Sequence, residues 1–347
     1  MSTVPDVIAR RPAGEIPEYT KKDFASDQTI RWCPGCGDYS ILSQVQTVFA
    51  GLGIPREQFV VISGIGCSGR FPYYMNTYGF HTIHGRAPAF ATGLKATRPD
   101  LHVWVISGDG DSLSIGGNHL IHAMRRNVDI KLLMFNNRIY GLTKGQYSPT
   151  SEVGKRTKST PMGSIDAPFN PPALALGAGA SFVARSIAVI PRHLRATVQR
   201  AHEHTGMAYV EVYQNCNIFN DGAFAEFTDK SVRSDRILEL RHGEPLVWGK
   251  TERKGLVLDG LLLKVATLGD GVAESDCLVH DETDPTLASL LVRLEGPDAP
   301  LPIGVFYKED RPTYDAAFQA QISKARRTLG NGDLHKLLNA GGTWRID

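Results

Sequence analysis

The sequence of 347 residues lacks long apolar runs, a large excess of charge of either sign, and an apolar leader. A helix that crosses a bilayer needs roughly 18 apolar residues in a row, and no run here approaches that length. The formal net charge of +2 gives no basis for binding nucleic acid or a membrane surface. The segment MSTVPDVIARRPAGEIPEYTKKDF carries no apolar core of a secretory signal. We therefore expect a cytoplasmic protein with no nucleic-acid or membrane partner.

Cysteine is scarce as well, and its number is odd, which argues against a disulfide framework. The five cysteines are Cys33, Cys36, Cys67, Cys216 and Cys277. In a reducing compartment, the Cys-x-x-Cys spacing of the first pair indicates metal, cluster or redox chemistry. Cys277 has no partner in the sequence, so we expect a buried thiol that behaves as a small apolar side chain.

What the sequence does contain is an alternation of short apolar runs with helical periodicity, which predicts an α/β fold. The predicted strands are Phe59–Ile62, His102–Ser107, Ile130–Phe135, Ser181–Ala184 and Ala208–Tyr213. The predicted helices are Tyr39–Gly51, Gly117–Asn127 and Pro191–His204. Right-handed βαβ units built from these elements give a mostly parallel sheet with helices on both faces. The polar motifs follow the strands directly, at the carboxyl ends where such sheets bind ligands.

The composition along the chain predicts three parts: an extended N-terminal arm (1–30), an α/β domain (31–225) and a C-terminal extension (226–347). We expect the extension, which ends in a helix near Asp315–Leu329, to pack on the domain or on a partner subunit. The stretch Thr143–Pro172 is rich in Ser, Thr, Lys, Gly and Pro. Its composition predicts a long surface loop that folds over the site or contacts a partner.

The most specific local pattern is Gly108-Asp109-Gly110, followed by twenty-five residues and then Asn136-Asn137. An Asp after one parallel strand and an Asn after the next lie side by side, and both offer the oxygen ligands that Mg²⁺ prefers. The intervening helix would direct its N-terminal N–H groups toward a diphosphate. A second Gly-Asp-Gly, at 269–271, is not followed by an Asn pair and is interpreted as a turn. The first pattern resembles the thiamine-diphosphate (ThDP) signature, although Asp111 stands where a small residue is usual.

The cysteines alone leave two kinds of site open. Cys33-Pro34-Gly35-Cys36 forms a tight turn, while Cys67 and Cys216 each follow a predicted strand. If those strands end on the same side of one sheet, the thiolates converge on a Cys₄ zinc site or on a [4Fe-4S] cluster equally well. A structural zinc beside a ThDP site would be chemically idle, whereas a cluster would accept electrons one at a time. The neighbouring site therefore favours the cluster.

Six segments in order resemble the β subunits of the 2-oxoacid:ferredoxin oxidoreductases, over about Arg31 to Asn220. They are CPGCGDYSIL, GIGCSGRFPYY, HTIHGRA, GDGDSLSIGGNHLIHAMRRN, NNRIYGLTKGQ and VYQNCNIFN. The resemblance implies a ThDP-binding fold whose [4Fe-4S] ligands are Cys33, Cys36, Cys67 and Cys216. It implies that Mg²⁺ is held by Asp109, Asn137 and the carbonyl of Ile139. Implied ThDP contacts are Ile65, Gly66, Cys67, Ser68, His84, Gly85, Arg86, Ala87, Gly110, Asp111, Gly141 and Leu142.

Three side chains are candidates for catalysis. Arg70 would meet a substrate carboxylate through charge-assisted hydrogen bonds, and the alternative is a surface arginine. Lys144 would meet a carboxylate or a coenzyme A phosphate, again against a surface role. His84 would touch the diphosphate or relay a proton, against the alternative of a core histidine.

The resemblance also implies what the chain needs from elsewhere. The glutamate that activates the aminopyrimidine ring of ThDP belongs to a second domain in such enzymes, so we expect a partner α subunit, in an α2β2 heterotetramer. The implied reaction is oxidative decarboxylation of a 2-oxoacid with coenzyme A, and ferredoxin takes the electrons. The CPGCGDYSIL and NNRIYGLTKGQ segments favour 2-oxoglutarate as the substrate, with pyruvate next. The alternatives are a non-redox ThDP decarboxylase or synthase subunit with structural zinc, and a non-catalytic metal-binding scaffold.

Overall fold

The computed structural model describes residues 18–344 and Ile346, so most of the predicted arm lies outside the described residues. The strands are β1 (Phe59–Ser63), β2 (Tyr78–His81), β3 (His102–Gly108), β4 (Lys131–Asn136), β5 (Phe182–Ile187), β6 (Ala208–Tyr213), β7 (Ile237–Leu240), β8 (Val247–Trp248), β9 (Lys254–Asp259), β10 (Leu262–Thr267) and β11 (Leu301–Lys308). The helices are α1 (Asp38–Gly51), α2 (Ala87–Thr97), α3 (Asp109–Leu113), α4 (Gly117–Arg126), α5 (Pro171–Gly177), α6 (Pro191–Glu203), α7 (Ala225–Thr228), α8 (Arg233–Arg236), α9 (Pro285–Leu291), α10 (Tyr314–Leu329) and α11 (Leu334–Leu338).

Within the described residues, the main sheet has eight strands in the order β2-β1-β3-β4-β6-β5-β11-β7. Neighbouring strands from β2 through β5 pair in parallel, as the alternation of strands and helices predicts. The predicted α/β fold with a mostly parallel sheet is therefore confirmed. Strands β1, β4, β5 and β6 are buried along their whole length, because helices cover both faces of the sheet.

Two apolar clusters occupy the two faces of the sheet, and the strands divide their side chains between them. On β3, Val105 belongs to one cluster, whereas Trp104 and Ile106 belong to the other. Helices α2, α4, α5 and α9 contribute to the first cluster, and helices α1 and α6 contribute to the second. The alternation fixes the register of each strand, because a slip of one residue would reverse every side chain.

The described part of the predicted arm is not simply extended. Lys21–Phe24 forms a short 3-10 helix, and Phe24 is fully buried. Its ring packs edge-to-face on Phe49 and Phe59, with centroids 5.8 and 5.7 Å away. The burial of one aromatic ring therefore attaches this segment to the domain.

The C-terminal part of the chain adds strands to the same sheet. Strand β11 runs antiparallel beside β5, and β7 pairs in parallel with β11. Strands β8, β9 and β10 form a separate antiparallel sheet, and the predicted late helix corresponds to α10. In the described part of the chain, no helix combines the length and apolar character needed to cross a membrane.

The stretch predicted as a surface loop is irregular up to Asn170, but the surface assignment is partly wrong. Ser148, Thr150, Ser151 and Ser164 are buried, and helix α5 already begins at Pro171. The Ser-rich composition that suggested exposure instead supplies buried hydroxyl groups, which find hydrogen-bond partners beneath the loop.

Candidate active site

A pocket lies at the carboxyl ends of β1, β3 and β4. Its lining brings together most of the predicted site residues: Ile65, Gly66, Cys67, Ser68, His84, Asp109, Gly110, Asp111, Asn137, Ile139, Gly141 and Leu142. Phe135, Tyr140, Thr143 and Gln214 complete the wall. Three of the predicted contacts, Gly85, Arg86 and Ala87, follow the pocket residue His84 in sequence but do not line the pocket. The position of the pocket agrees with the rule that open α/β sheets bind ligands at this end.

Asp109 and Asn137 face the same pocket from neighbouring strands. Both are buried, and Ile139 lies two residues beyond Asn137, also at the wall. Asn137 Oδ1 accepts a hydrogen bond from the backbone N–H of Ile139 at 3.1 Å, which fixes the turn. Burial raises the pKa of Asp109 to about 6, against hydrogen bonds from Ser148 and Thr150 that lower it. Because burial disfavours the ionised form of Asp109, a cation bound beside the carboxylate would stabilise that form.

The Asp109 carboxylate is held by two hydroxyl groups that the sequence analysis did not identify as functional. Ser148 Oγ and Thr150 Oγ1 each lie 2.6 Å from Asp109 Oδ2. Thr150 also lies 2.9 Å from Asn136 Oδ1, and Asn136 donates in turn to the buried Glu211 at 2.8 Å. The loop after β4 therefore fixes the rotamer of Asp109, while Asn136 supports the loop and Asn137 faces the pocket.

The helix predicted between the Asp and the Asn begins at Gly117, as expected, and corresponds to α4. A short helix that was not predicted, α3, precedes it and begins at Asp109. Gly110 is required for a steric reason, because a Cβ atom there would lie 2.1 Å from the ring of Tyr140. The glycine of the motif thus allows Tyr140 to cover the start of α3.

Asp111 is buried and is held from several sides. Its Oδ1 accepts hydrogen bonds from the backbone N–H groups of Ile65 at 3.0 Å and Gly85 at 2.8 Å. Ser107 Oγ donates to its Oδ2 at 2.5 Å, and His84 Nδ1 lies 3.5 Å from its Oδ1. The side chain of His84 is 56% exposed, which excludes the alternative interpretation of His84 as a core histidine.

The four predicted cluster cysteines come from three separate loops, and Cys67 lines this pocket. Among the described residues, no three Cys, His, Asp or Glu side chains form a group arranged to hold a metal ion. Cys36, Cys67 and Cys216 are half-buried, whereas Cys33 is exposed. A Cβ atom at Gly141 would lie 3.5 Å from the sulfurs of both Cys67 and Cys216. Cys277 is buried in the separate C-terminal part, as predicted.

Backbone contacts hold these loops in place. Cys36 N donates to Cys33 O at 3.0 Å, and Gly37 N donates to Asn215 O at 3.2 Å. Trp32 Nε1 donates to Cys67 O at 2.7 Å, which ties the first loop to the loop after β1. The loops are thus joined by hydrogen bonds that do not depend on the thiols.

The electrostatics of the thiols reflect their proximity. Burial, followed by the charges of Asp38, Cys216 and Cys33, raises the pKa of Cys67 to about 12, against a lowering effect of Arg70. The pKa of Cys36 is raised by burial and by the charge of Asp38. Burial raises the pKa of Asp38 to about 7, although Gln214 donates to it at 2.6 Å. Burial thus disfavours the thiolate forms of Cys36 and Cys67, and a bound metal centre would stabilise those forms.

The other two candidate catalytic side chains lie outside the pocket wall. Arg70 is exposed and lines an adjoining groove that shares Ile65, Gly66 and Leu142 with the pocket. Lys144 is exposed and adopts a φ of 83°, which is unusual for a residue with a long side chain. The turn that imposes this conformation is closed by Gly145 N, which donates to Tyr140 O at 2.9 Å.

Comparisons with known proteins agree on one family. A family model described as "Thiamine pyrophosphate enzyme, C-terminal TPP binding domain" matches residues 64–212. The chain is 54% identical over 331 residues to 2-oxoglutarate oxidoreductase subunit KorB of Mycobacterium tuberculosis, which covers 94% of this chain and 88% of that protein. The chain belongs to the β subunits of the 2-oxoacid:ferredoxin oxidoreductases.

Two further relatives show how far the similarity extends. The 2-oxoacid:ferredoxin oxidoreductase subunit beta of Saccharolobus solfataricus is 46% identical over 203 residues, which are 58% of this chain and 67% of that protein. A solved structure of 2-oxoglutarate:ferredoxin oxidoreductase from Magnetococcus marinus, with 2-oxoglutarate, coenzyme A and succinyl-CoA bound, superposes with a TM-score of 0.73. The identity is 36%, over 94% of this chain and 97% of that chain.

The residues of this β subunit fit the groups that its family implies. Carboxylate, amide and backbone oxygens meet at Asp109, Asn137 and Ile139, and this donor set suits Mg²⁺. Gly66 adopts a φ of 134°, a conformation that favours glycine, directly before Cys67. Two of the four predicted cluster thiols, those of Cys67 and Cys216, lie beside Gly141, which has no side chain of its own, and thiolates are the usual ligands of iron–sulfur clusters.

Proposed function

We propose that this β subunit takes part in the oxidative decarboxylation of a 2-oxoacid, with coenzyme A as acyl acceptor and one [4Fe-4S] cluster as electron carrier to ferredoxin. The observation that carries the proposal is the contact between two sites. The loop after β4 lines the pocket of Asp109 with Leu142, and its Gly141 faces the sulfurs of Cys67 and Cys216. Electrons released in the pocket would therefore have a short path to a cluster.

We assign the diphosphate of ThDP and one Mg²⁺ to the pocket. Asp109, Asn137 and the carbonyl of Ile139 would hold the ion, and Asp109 would offer Oδ1 because Ser148 and Thr150 bond its Oδ2. When bound, ThDP supplies the electron sink that allows a 2-oxoacid to lose carbon dioxide. The remaining predicted contacts, from Ile65–Ser68, His84–Ala87, Gly110, Asp111, Gly141 and Leu142, would position it.

We assign the cluster to Cys33, Cys36, Cys67 and Cys216. Ferredoxin is named as the electron acceptor of the archaeal and Magnetococcus relatives, and a one-electron acceptor requires a carrier that a zinc ion cannot replace. The exposure of Cys33 places one edge of the cysteine site at the surface, where a ferredoxin would approach. Structural zinc is the alternative that metal analysis would reveal.

The charged side chains at the rim suit an anionic substrate. Arg70 would pair with a carboxylate in the groove that adjoins the pocket. Lys144 would meet a carboxylate or a coenzyme A phosphate, and His84 would contact the diphosphate or carry a proton. 2-Oxoglutarate is the favoured substrate, since two of the relatives carry it in their names, and pyruvate is next.

The partner is proposed to be an α subunit that supplies the aminopyrimidine half of the ThDP site, in an α2β2 heterotetramer in the cytoplasm. The relatives are named as subunits, which supports an assembly of more than one chain. The described pocket is built from the loops of one sheet.

The deciding experiment uses the chain produced anaerobically together with its α subunit. We expect reduction of ferredoxin, or of a dye, that depends on coenzyme A and is faster with 2-oxoglutarate than with pyruvate. Iron analysis should give about four atoms per β chain. Zinc without iron would overturn the cluster assignment, and a preference for pyruvate would overturn the assignment of 2-oxoglutarate as the substrate. Full activity of the β chain alone would overturn the proposal that a partner subunit is needed.

A further inference from the structure

The loops that carry the two halves of the site meet at Asp111, the residue that departs from the usual ThDP signature. Its carboxylate is 2% exposed and lies between the loop after β1 and the loop that precedes α2. The first of these loops carries Cys67, and the second carries His84 and Gly85. A single buried carboxylate therefore stands between the cysteine loop and the cofactor loop.

Both carboxylate oxygens of Asp111 accept hydrogen bonds. Oδ1 takes the N–H groups of Ile65 and Gly85 at 3.0 and 2.8 Å, and Oδ2 takes the hydroxyl of Ser107 at 2.5 Å. Hydrogen bonds to an ionised acceptor in a buried site are among the stronger ones in proteins. These three hydrogen bonds all come from groups of the protein itself.

The packing around Asp111 is equally close. A Cβ atom at Gly64 would lie 1.8 Å from Asp111 Oδ2, so the cysteine loop can approach the carboxylate only with glycine at this position. Gly85 adopts a φ of 65°, and a Cβ atom there would lie 2.4 Å from the backbone of Gly116. Glycines on both loops thus admit the contacts that Asp111 makes.

We propose that Asp111 is a positioning residue that sets the cysteine loop at Ile65–Cys67 and the cofactor loop at His84–Gly85 in one fixed geometry. This inference rests on the proposed function, since it links the cluster to the ThDP pocket. A small residue at position 111 would satisfy the turn after β3, but it would leave two backbone N–H groups without their acceptor. The arrangement explains why this chain carries an aspartate there.

The test compares Asp111→Ser and Asp111→Asn in the complex with the α subunit. Asparagine can accept both N–H groups through Oδ1 and donate to Ser107 through Nδ2, so it should rescue the geometry. Asp111→Ser should weaken Mg²⁺-dependent ThDP binding at least about ten-fold and alter the electron paramagnetic resonance spectrum of the reduced cluster. Asp111→Asn should stay within about three-fold of the wild type in ThDP affinity and keep its spectrum.

Asp129→Asn is the matched control, because Asp129 accepts the N–H of Gly206 at 3.1 Å and pairs with Lys95 and Lys131 near the start of β4, away from the pocket. It should lower thermal stability without changing ThDP affinity or the cluster spectrum.

Hydrogen–deuterium exchange separates a failure of this inference from a failure of the proposed function. In Asp111→Ser, peptides that contain Ile65 and Gly85 should exchange faster, and peptides of the C-terminal sheet should not. This measurement needs no bound cofactor, so it decides the role of Asp111 even if the wild type holds neither ThDP nor iron. Unchanged exchange in both loops, or unchanged ThDP affinity in a complex that binds ThDP, would overturn the proposal.

Discussion

Thr150 and Asp109 lie 41 residues apart in the sequence, yet the hydroxyl of Thr150 lies 2.6 Å from the Asp109 carboxylate in a buried site. The loop after β4 is thereby part of the metal-binding arrangement that we propose, although none of its hydroxyl residues was among the candidate ligands. Through Ser148 and Thr150, the loop supports the buried carboxylate.

Removing this hydroxyl should weaken cofactor binding. Thr150→Val keeps the shape of the side chain but leaves Asp109 with one fewer donor, and loss of a hydrogen bond to a buried charge costs about 1–3 kcal/mol. We expect the Kd for ThDP at fixed Mg²⁺ to rise about 5- to 100-fold, measured by calorimetry. Ser159→Ala, at an exposed hydroxyl of the same loop, is the control. A Kd equal to that of the wild type would argue against the supporting role.

The two Gly-Asp-Gly segments offer a direct comparison. Asp109→Asn removes the charged oxygen assigned to Mg²⁺, and we expect Mg²⁺-dependent ThDP binding to fall by at least about a hundred-fold because a charged ligand to a hard cation is lost. Asp270→Asn changes the matching residue in the turn at 269–271 and should have no effect. Similar losses in the two variants would contradict the assignment.

The cysteine assignment predicts a selective loss. Cys33→Ser should remove the visible absorbance that dithionite bleaches, together with most of the iron, since an alkoxide replaces thiolate poorly in iron–sulfur clusters. Cys277→Ser is the control, because that thiol is buried in the C-terminal part of the chain. Both variants should be prepared anaerobically and assayed for iron. An iron-replete Cys33→Ser protein with an unchanged spectrum would remove Cys33 from the ligand set.

Gly141 predicts a steric effect on the same centre. An alanine methyl would stand 3.5 Å from the sulfurs of Cys67 and Cys216, where the cluster would lie. We expect Gly141→Ala to lower the iron content at least about two-fold, because close-packed sites tolerate little added volume. Gly93→Ala serves as the control, since a Cβ atom there meets nothing within 4 Å. Full iron content in Gly141→Ala would show that the cluster lies elsewhere.

His204 predicts a loss of stability in mild acid. Burial, followed by the charge of Lys131, lowers its pKa to about 4, and its ring nitrogen lies 2.8 Å from Ser181 Oγ. The folded state thus binds fewer protons than the unfolded state between the ordinary histidine pKa of about 6.5 and about 4, so stability is full above that window and falls as the pH falls through it. From pH 7.5 to pH 5 the loss would be about 2 kcal/mol.

His204→Gln, which cannot take up the proton, should show a smaller fall in thermal midpoint over this range than the wild type, by a few degrees. His335→Gln, at an exposed histidine of α11, should behave as the wild type does. An equal fall of the thermal midpoint with pH in the wild type and in His204→Gln would exclude His204 as the source of the acid sensitivity.

The sheet could be predicted because its buried parallel strands appear in the sequence as continuous apolar runs. Each predicted strand from Phe59–Ile62 to Ala208–Tyr213 matches a strand of the structure to within a few residues. Strand β2, with the sequence YGFH, is only four residues long and fully exposed, so it has no apolar run and was missed. The antiparallel position of β11 was also missed, because the order of strands depends on contacts between distant segments.

The pocket could be predicted in outline from spacing and family resemblance. Asp109 and Asn137 follow adjacent strands, and that fact alone places them together. Ser148 and Thr150 could not be found this way, because a Ser-Pro-Thr sequence in an irregular loop has no periodicity that separates buried hydroxyls from exposed ones. The role of Asp111 depends on three loops that only the folded chain brings together.

The antiparallel pairing of β11 with β5 has a consequence for the edge of the sheet. A chain that ended near residue 225 would leave β5 with a row of unpaired backbone groups, which invites association with other chains. The Saccharolobus relative aligns over only 58% of this chain, so the protection that β11 gives to β5 here need not come from the same segment there. Strand β11 thus keeps the backbone groups of β5 paired within the chain, so that they are not available to other chains.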